Sequence, residues 1–134
     1  RLVEGEITEF LVQPPTKLLI LGSEPAQTEE ILTRVDNEFG AELNITQSKS
    51  TFVEVMQQNV SKGRALKNLA GKYGIKQSEI IAIGDSLNDL EMIEYAGLGV
   101  AVANGADELK KEADYITDTN EEEGVASVID RFIL

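Results

Sequence analysis

The chain has 134 residues, is 42% apolar and carries a formal net charge of −12 at pH 7. That apolar share suits a compact unit with its own core, and the acids are spread over both halves with no basic stripe, which argues against nucleic acid or anionic membrane as a partner. Cysteine and histidine are both absent, so disulfides, thiolate metal sites and histidine catalysis are excluded and any chemistry falls to carboxylates, Lys, Ser, Thr and Asn.

The first dozen residues show weak periodicity and receive no element. After Pro14-Pro15, the run KLLILG at 17–22 predicts a buried strand ended by glycine. Pro25 then stands where a first helical turn would begin. Ile31, Leu32, Val35 and Phe39 follow at helical spacing, which predicts a helix over 26–39 that stops at Gly40. AELNITQS and TFVEVMQ, separated by Lys49-Ser50, have the pattern of an antiparallel hairpin.

From residue 58 the rhythm changes. SKGRALKNLAGKYG predicts a helix capped by Ser61 and stopped by Gly74, with Ala65, Leu66, Leu69 and Tyr73 on its inner face. The strands EIIAIG at 79–84, GLGVAVAN and YITD alternate with the helices LNDLEMIEYAG, ADELKKEA and EEEGVASVIDRFIL. Strands this apolar, alternating with helices, indicate an α/β fold whose parallel sheet is covered on both faces. No internal repeat or low-complexity segment occurs, and the boundary between the two parts is expected near residues 57–60.

The chemistry-bearing residues cluster after the strand at 79–84. Asp85 is expected at the carboxyl edge of the parallel sheet, where ligands of open α/β sheets bind, and Asn88 and Asp89 follow three and four positions later. Three hard oxygen donors at one crevice suit Mg²⁺. Taken alone, the same residues read equally as a turn at Asp85 followed by a helix capped by Asn88 or Asp89, and spacing does not decide between the two. Lys62 stands just inside a helix N-terminus, where a cation opposes the helix dipole. It reads either as a solvated surface lysine or as a cation kept for an anion that the free backbone N–H groups would also hold.

SKGRAL, then IIAIGDSLNDLEMI, then GLGVAVANGADELKKEADYITDTNEEEGVASVI together resemble the C-terminal portion of a haloacid dehalogenase (HAD) superfamily phosphatase, over residues 16–134. Within that superfamily the chain is similar to the Cof-type group, which carries an α+β cap called C2. The resemblance implies a partial Rossmann-like core over 58–134 and the last part of the cap over 1–57. It implies Lys62 as the catalytic lysine that holds the phosphoryl group, and Asp85 as a ligand of Mg²⁺. Asp89 is implied as the second acid, serving metal or lysine, and Asn88 as a contact to the phosphoryl group. Asn104 is implied as a further contact near the site, and cap residues around 47–54 as bearing on substrate choice. The substrate would be a small phosphate ester of the sugar phosphate, pyridoxal phosphate or flavin mononucleotide class.

Two local departures accompany the resemblance. Gln58-Asn59-Val60 replaces the glycine-containing turn usual before S-K-G, with Asn59 expected to tolerate a positive φ, and Asn104 is followed by Gly105 where the family has alanine. The larger departure is that no D-x-D, the family's nucleophile motif, occurs in the chain, which starts at Arg1 rather than Met. The expectation is therefore a C-terminal fragment, inactive alone, of an enzyme that works through an aspartyl-phosphate intermediate. Such a fragment would leave the strand at 79–84 with an unpaired edge open to self-association. The competing reading is a non-catalytic α/β module that binds metal or phosphate. No apolar run of about 18 residues and no leader pattern is found, so a cytoplasmic protein is expected.

Overall fold

The computed structural model describes residues 5, 6, 9, 11 and 13–134; the rest of the leading segment lies outside the described residues. Two three-stranded sheets organise them. The first is antiparallel, in the order β1-β3-β2, with β1 at Leu18–Leu21, β2 at Leu43–Lys49 and β3 at Phe52–Gln57. Helix α1, Pro25–Phe39, joins β1 to β2 and packs against β2 and β3. Period-two alternation gives this sheet two unlike faces. Val53 and Val55 are buried, whereas their neighbours Phe52, Glu54 and Met56 project from the opposite face.

The second sheet is parallel, in the order β4-β5-β6, with β4 at Ile81–Gly84, β5 at Leu98–Val102 and β6 at Tyr115–Thr117. The central strand β5 is buried over four of its five residues, as the unbroken apolar run GVAV requires. Around the sheet stand α2 (Lys62–Tyr73), α3 (Leu90–Tyr95), α4 (Asp107–Glu112) and α5 (Gly124–Phe132). Ile93, Ala101 and Leu109 form a buried cluster between α3, β5 and α4. Among the described residues the outer edge of β4 has no strand partner.

Several local expectations need correction. The run at 17–22 forms a strand, but not a buried one: Leu18, Leu19 and Leu21 are all exposed, because β1 is an edge strand and α1 covers the sheet chiefly at β2 and β3. On α2 the buried residues are Gly63 and Ala70, and Leu69 and Tyr73 point outward, since the helix meets α3 through its small residues. Gln77–Glu79 is a 3₁₀ turn, so the strand begins only at Ile81. Leu87–Asp89 is likewise a 3₁₀ turn preceding α3, stabilised by the Asp89 carboxylate accepting from the backbone N–H of Ser86 at 3.2 Å. The turn before α2 closes through Val60 N–H to the Gln57 carbonyl at 2.9 Å, with no positive φ at Asn59.

Candidate active site

The N-terminus of α2 and the loop after β4 converge on one rim. Ser61 caps α2 as expected: its hydroxyl accepts from Arg64 N–H at 3.1 Å and donates to Glu91 on α3. Gly63 allows this docking, because a Cβ there would lie 2.5 Å from the Glu91 Cβ. In S-K-G, therefore, Ser starts the helix, Gly lets it reach α3, and Lys62 between them is carried to the end of β4.

Lys62 donates to the carboxylate of Asp89 and, at 3.2 Å, to the Asn88 side-chain oxygen. Asp89 is 3% exposed, while half of the Lys62 side chain remains open to solvent. The other Asp89 oxygen accepts from the backbone N–H groups of Asp85, at 3.0 Å, and Ser86. Burial raises the Asp89 pKa, but the Lys62 ammonium and these two N–H donors outweigh it and hold the carboxyl below its ordinary value. Gly84 makes room for the arrangement, since a Cβ there would meet the Asp89 Cβ at 2.5 Å. Asp89 thus fixes both the lysine and the backbone of Asp85.

Asp85 itself is exposed, and its carboxylate makes no hydrogen bond or ion pair among the described residues. Its carbonyl accepts from Ala106 N–H at 2.9 Å, pinning the residue from the β5–α4 side. Lys62, Asp85 and Asn88 line one open cleft of about 770 Å³. The opposite wall belongs to the antiparallel sheet, which presents Lys17, Ser48, Lys49 and Glu54. Lys17, Lys49 and Lys62 share this cleft with the carboxylates of Glu54 and Asp85, in a chain whose net charge is −12.

Among the described residues no three acidic side chains cluster to form a complete protein cage for a metal. Mg²⁺ does not require one, because it typically takes one or two carboxylates and completes its shell with water and substrate phosphate. The unpartnered Asp85 carboxylate beside Asn88 fits that demand. The Asp89 oxygens are already engaged by the ammonium and the two backbone N–H groups.

Lys62, Asp85, Asn88 and Asp89 are thus brought together. The Asn104 side chain is engaged with Asn120: its amide donates to the Asn120 side-chain oxygen at 2.7 Å and its oxygen accepts from Asn120 N–H at 3.2 Å, tying the loop after β5 to the loop after β6. Lys17 drew no functional expectation from the sequence, and Glu54 only as one of the residues around 47–54. A charged residue alternating with Val53 and Val55 was the available signal for Glu54.

A parallel α/β core thus presents at its carboxyl edge an open cleft, walled on the other side by a separate antiparallel sheet. The sequence pattern of the haloacid dehalogenase-like hydrolases matches residues 4–129, and the chain belongs to that family. It is 48% identical over 93 residues to a 5-amino-6-(5-phospho-D-ribitylamino)uracil phosphatase of Bacillus subtilis, covering 69% of this chain and 37% of that protein. A solved haloacid dehalogenase-like hydrolase from B. subtilis superposes with a TM-score of 0.82 at 34% identity, covering 95% of this chain and 45% of the other. A HAD subclass IIB sugar phosphatase superposes with a TM-score of 0.73 at 28% identity, covering 78% of this chain and 40% of the other. The chain spans about half, or less, of the length of the relatives it matches.

Proposed function

We propose that the protein to which this chain corresponds hydrolyses small phosphate monoesters with Mg²⁺ as cofactor, and that the chain supplies the lysine, the metal-binding carboxylate and one wall of the substrate cleft. The observation that carries this reading is the Lys62 ammonium, held by Asp89 and Asn88, facing the same cleft as the free Asp85 carboxylate. An ammonium has three donors. Two of them are taken by Asn88 and Asp89, which leaves the third for a phosphoryl oxygen. The Asn88 amide N–H₂ group has no partner among the described residues and adds a neutral donor to the same oxygens. Asp85, with the substrate phosphate, would hold Mg²⁺. When bound, the cation neutralises charge on the transferring phosphoryl group.

The nucleophile belongs to an aspartate outside these 134 residues, which contain no D-x-D, so the chain alone is expected not to turn over. In this reading residues 1–57 belong to the cap and residues 58–134 to the core. The substrate class is that of sugar phosphates and phosphorylated cofactors or their precursors, which the chemistry named for the ribitylaminouracil and sugar phosphatases supports.

The test is hydrolysis of a phosphate-ester panel by the whole protein in saturating Mg²⁺, with Lys62→Ala and Asp85→Ala alongside. Each substitution is expected to lower kcat/KM by about a hundredfold or more, the scale seen when one group that stabilises transition-state charge is removed. Full activity in either variant would overturn the role given to that residue.

A further inference from the structure

Glu54 lies at the centre of the antiparallel sheet, in β3, with Leu19 of β1 and Thr46 of β2 as its strand neighbours. One of its carboxylate oxygens accepts from Lys17 at 3.0 Å and from the Ser48 hydroxyl at 2.8 Å. Ser48 follows Thr46, the strand partner of Glu54, by two residues, at the point where the register of β2 slips between Gln47 and Lys49. The second carboxylate oxygen makes no hydrogen bond among the described residues.

That oxygen is left to the space the side chain lines. The Glu54 side chain is only 13% exposed and lines both the 770 Å³ cleft and an adjoining recess of about 340 Å³. Lys62 and Asn88 line the same two spaces from the other side. A group held on Lys62 therefore extends toward Glu54. Burial raises the Glu54 pKa, but Ser48, Lys17 and the field of Lys62 outweigh it, so the group stays ionised and can only accept hydrogen bonds. Around it the recess offers Asn44 and Thr46 as polar partners and Met56 as an apolar surface, and Phe52 lines the main cleft.

We propose that Glu54, propped by Lys17 and Ser48, is the specificity-determining residue of this site, and that it selects phosphate esters whose leaving group is a neutral, hydroxyl-rich chain or ring. Hydroxyls donate to the free carboxylate oxygen while the carbon skeleton rests on Phe52 or Met56. A leaving group with a second anion beside Glu54 is repelled, and one without donors leaves the carboxylate unmatched. The inference rests on the phosphatase reading above and adds the chemistry of the leaving group to it.

The experiment compares ribitol 5-phosphate with n-pentyl phosphate, esters of equal carbon count with and without hydroxyls, as substrates of the whole protein in saturating Mg²⁺. The wild type is expected to prefer the polyol ester in kcat/KM by about tenfold or more, the worth of a hydrogen bond to a charged group. Glu54→Ala is expected to lower the polyol rate at least about tenfold more than the alkyl rate, and Glu54→Gln, which keeps an acceptor oxygen, to restore part of the preference. Equal losses on both esters in Glu54→Ala would assign Glu54 to the fold rather than to selection and overturn the inference. So would a wild type that hydrolyses both esters equally, with the phosphatase reading left standing. Hydrolysis of neither ester by the wild type would remove that reading and this inference together.

Discussion

The two sheets solve different problems with the same number of strands. In the parallel sheet, β5 is sealed between helices and the loops at its carboxyl edge are held by close contacts: Asp89 against Gly84, and Gly105 against the backbone of Asp85. In the antiparallel sheet only one face is packed, and the other carries Lys17, Ser48, Glu54 and Met56 into open clefts. A rigid edge suits groups that must meet a phosphoryl group in fixed geometry. A half-solvated face with polar side chains suits a wall that discriminates among the varied remainders of the substrate. Under the proposed function chemistry and selection fall to different sheets, and substitutions in the two are expected to fail differently.

The largest effect is expected in the sealed sheet. Leu109 is fully buried against Ile93 and Ala101, so Leu109→Ala is expected to destabilise the chain by about 2–5 kcal/mol in urea denaturation. A change below about 1 kcal/mol would show that this core collapses readily around a cavity, and the contrast between the sheets would lose its basis.

A smaller and pH-dependent effect is expected at Asp89. Its folded-state pKa is depressed, so the stability it contributes is present in full above its ordinary value of 3.8 and is lost as pH falls through the lower folded-state value. At neutral pH, Asp89→Asn is expected to remove about 2 kcal/mol, because Lys62 and the Asp85 and Ser86 N–H groups lose a charged acceptor, a figure moderated by the solvent around Lys62. Urea titrations at pH 7 and pH 3 should bring the two proteins closer together at the lower pH. Glu54, also depressed but nearer the surface, should show the same sign with a smaller amplitude when replaced by Gln. A larger pH effect at Glu54 than at Asp89 would reverse the assignment of the rigid site to the parallel sheet.

The sequence made the parallel sheet legible because burial on both faces leaves unbroken apolar runs. Lys62, Asp85, Asn88 and Asp89 were joined into one site by the family resemblance of S-K-G and G-D-S-L-N-D, since their spacing alone left a turn and a helix cap as an equal account. The antiparallel sheet was harder. Apolar Leu18, Leu19 and Leu21 look like core residues until the strand order places them at an edge, a long-range fact that local composition does not hold. Lys17 meets Glu54 across 37 residues, and Ser48 meets it across two strands, so both contacts depend on the strand pairing. On α2 it is Gly63 that touches α3, at Glu91, because close approach of two helices selects small side chains.

The smallest expected effect bears on how open the antiparallel sheet is in solution. Leu21 is 63% exposed on β1, so Leu21→Ser is expected to change stability by no more than about 0.5 kcal/mol in urea denaturation of a dilute sample. A loss above about 1 kcal/mol would mean that this side chain is covered in solution and that the sheet is less open than its exposure indicates. The free edge of β4 lies in the other sheet and is where pairing between copies of this chain is expected. Gel filtration of the 134-residue chain should therefore show the same dimer for wild type and for Leu21→Ser. A dimer that the substitution dissolves would move the association surface to β1. A wild type that elutes as a monomer on dilution would show that solvent alone satisfies the edge of β4, and the expectation of pairing there would fail.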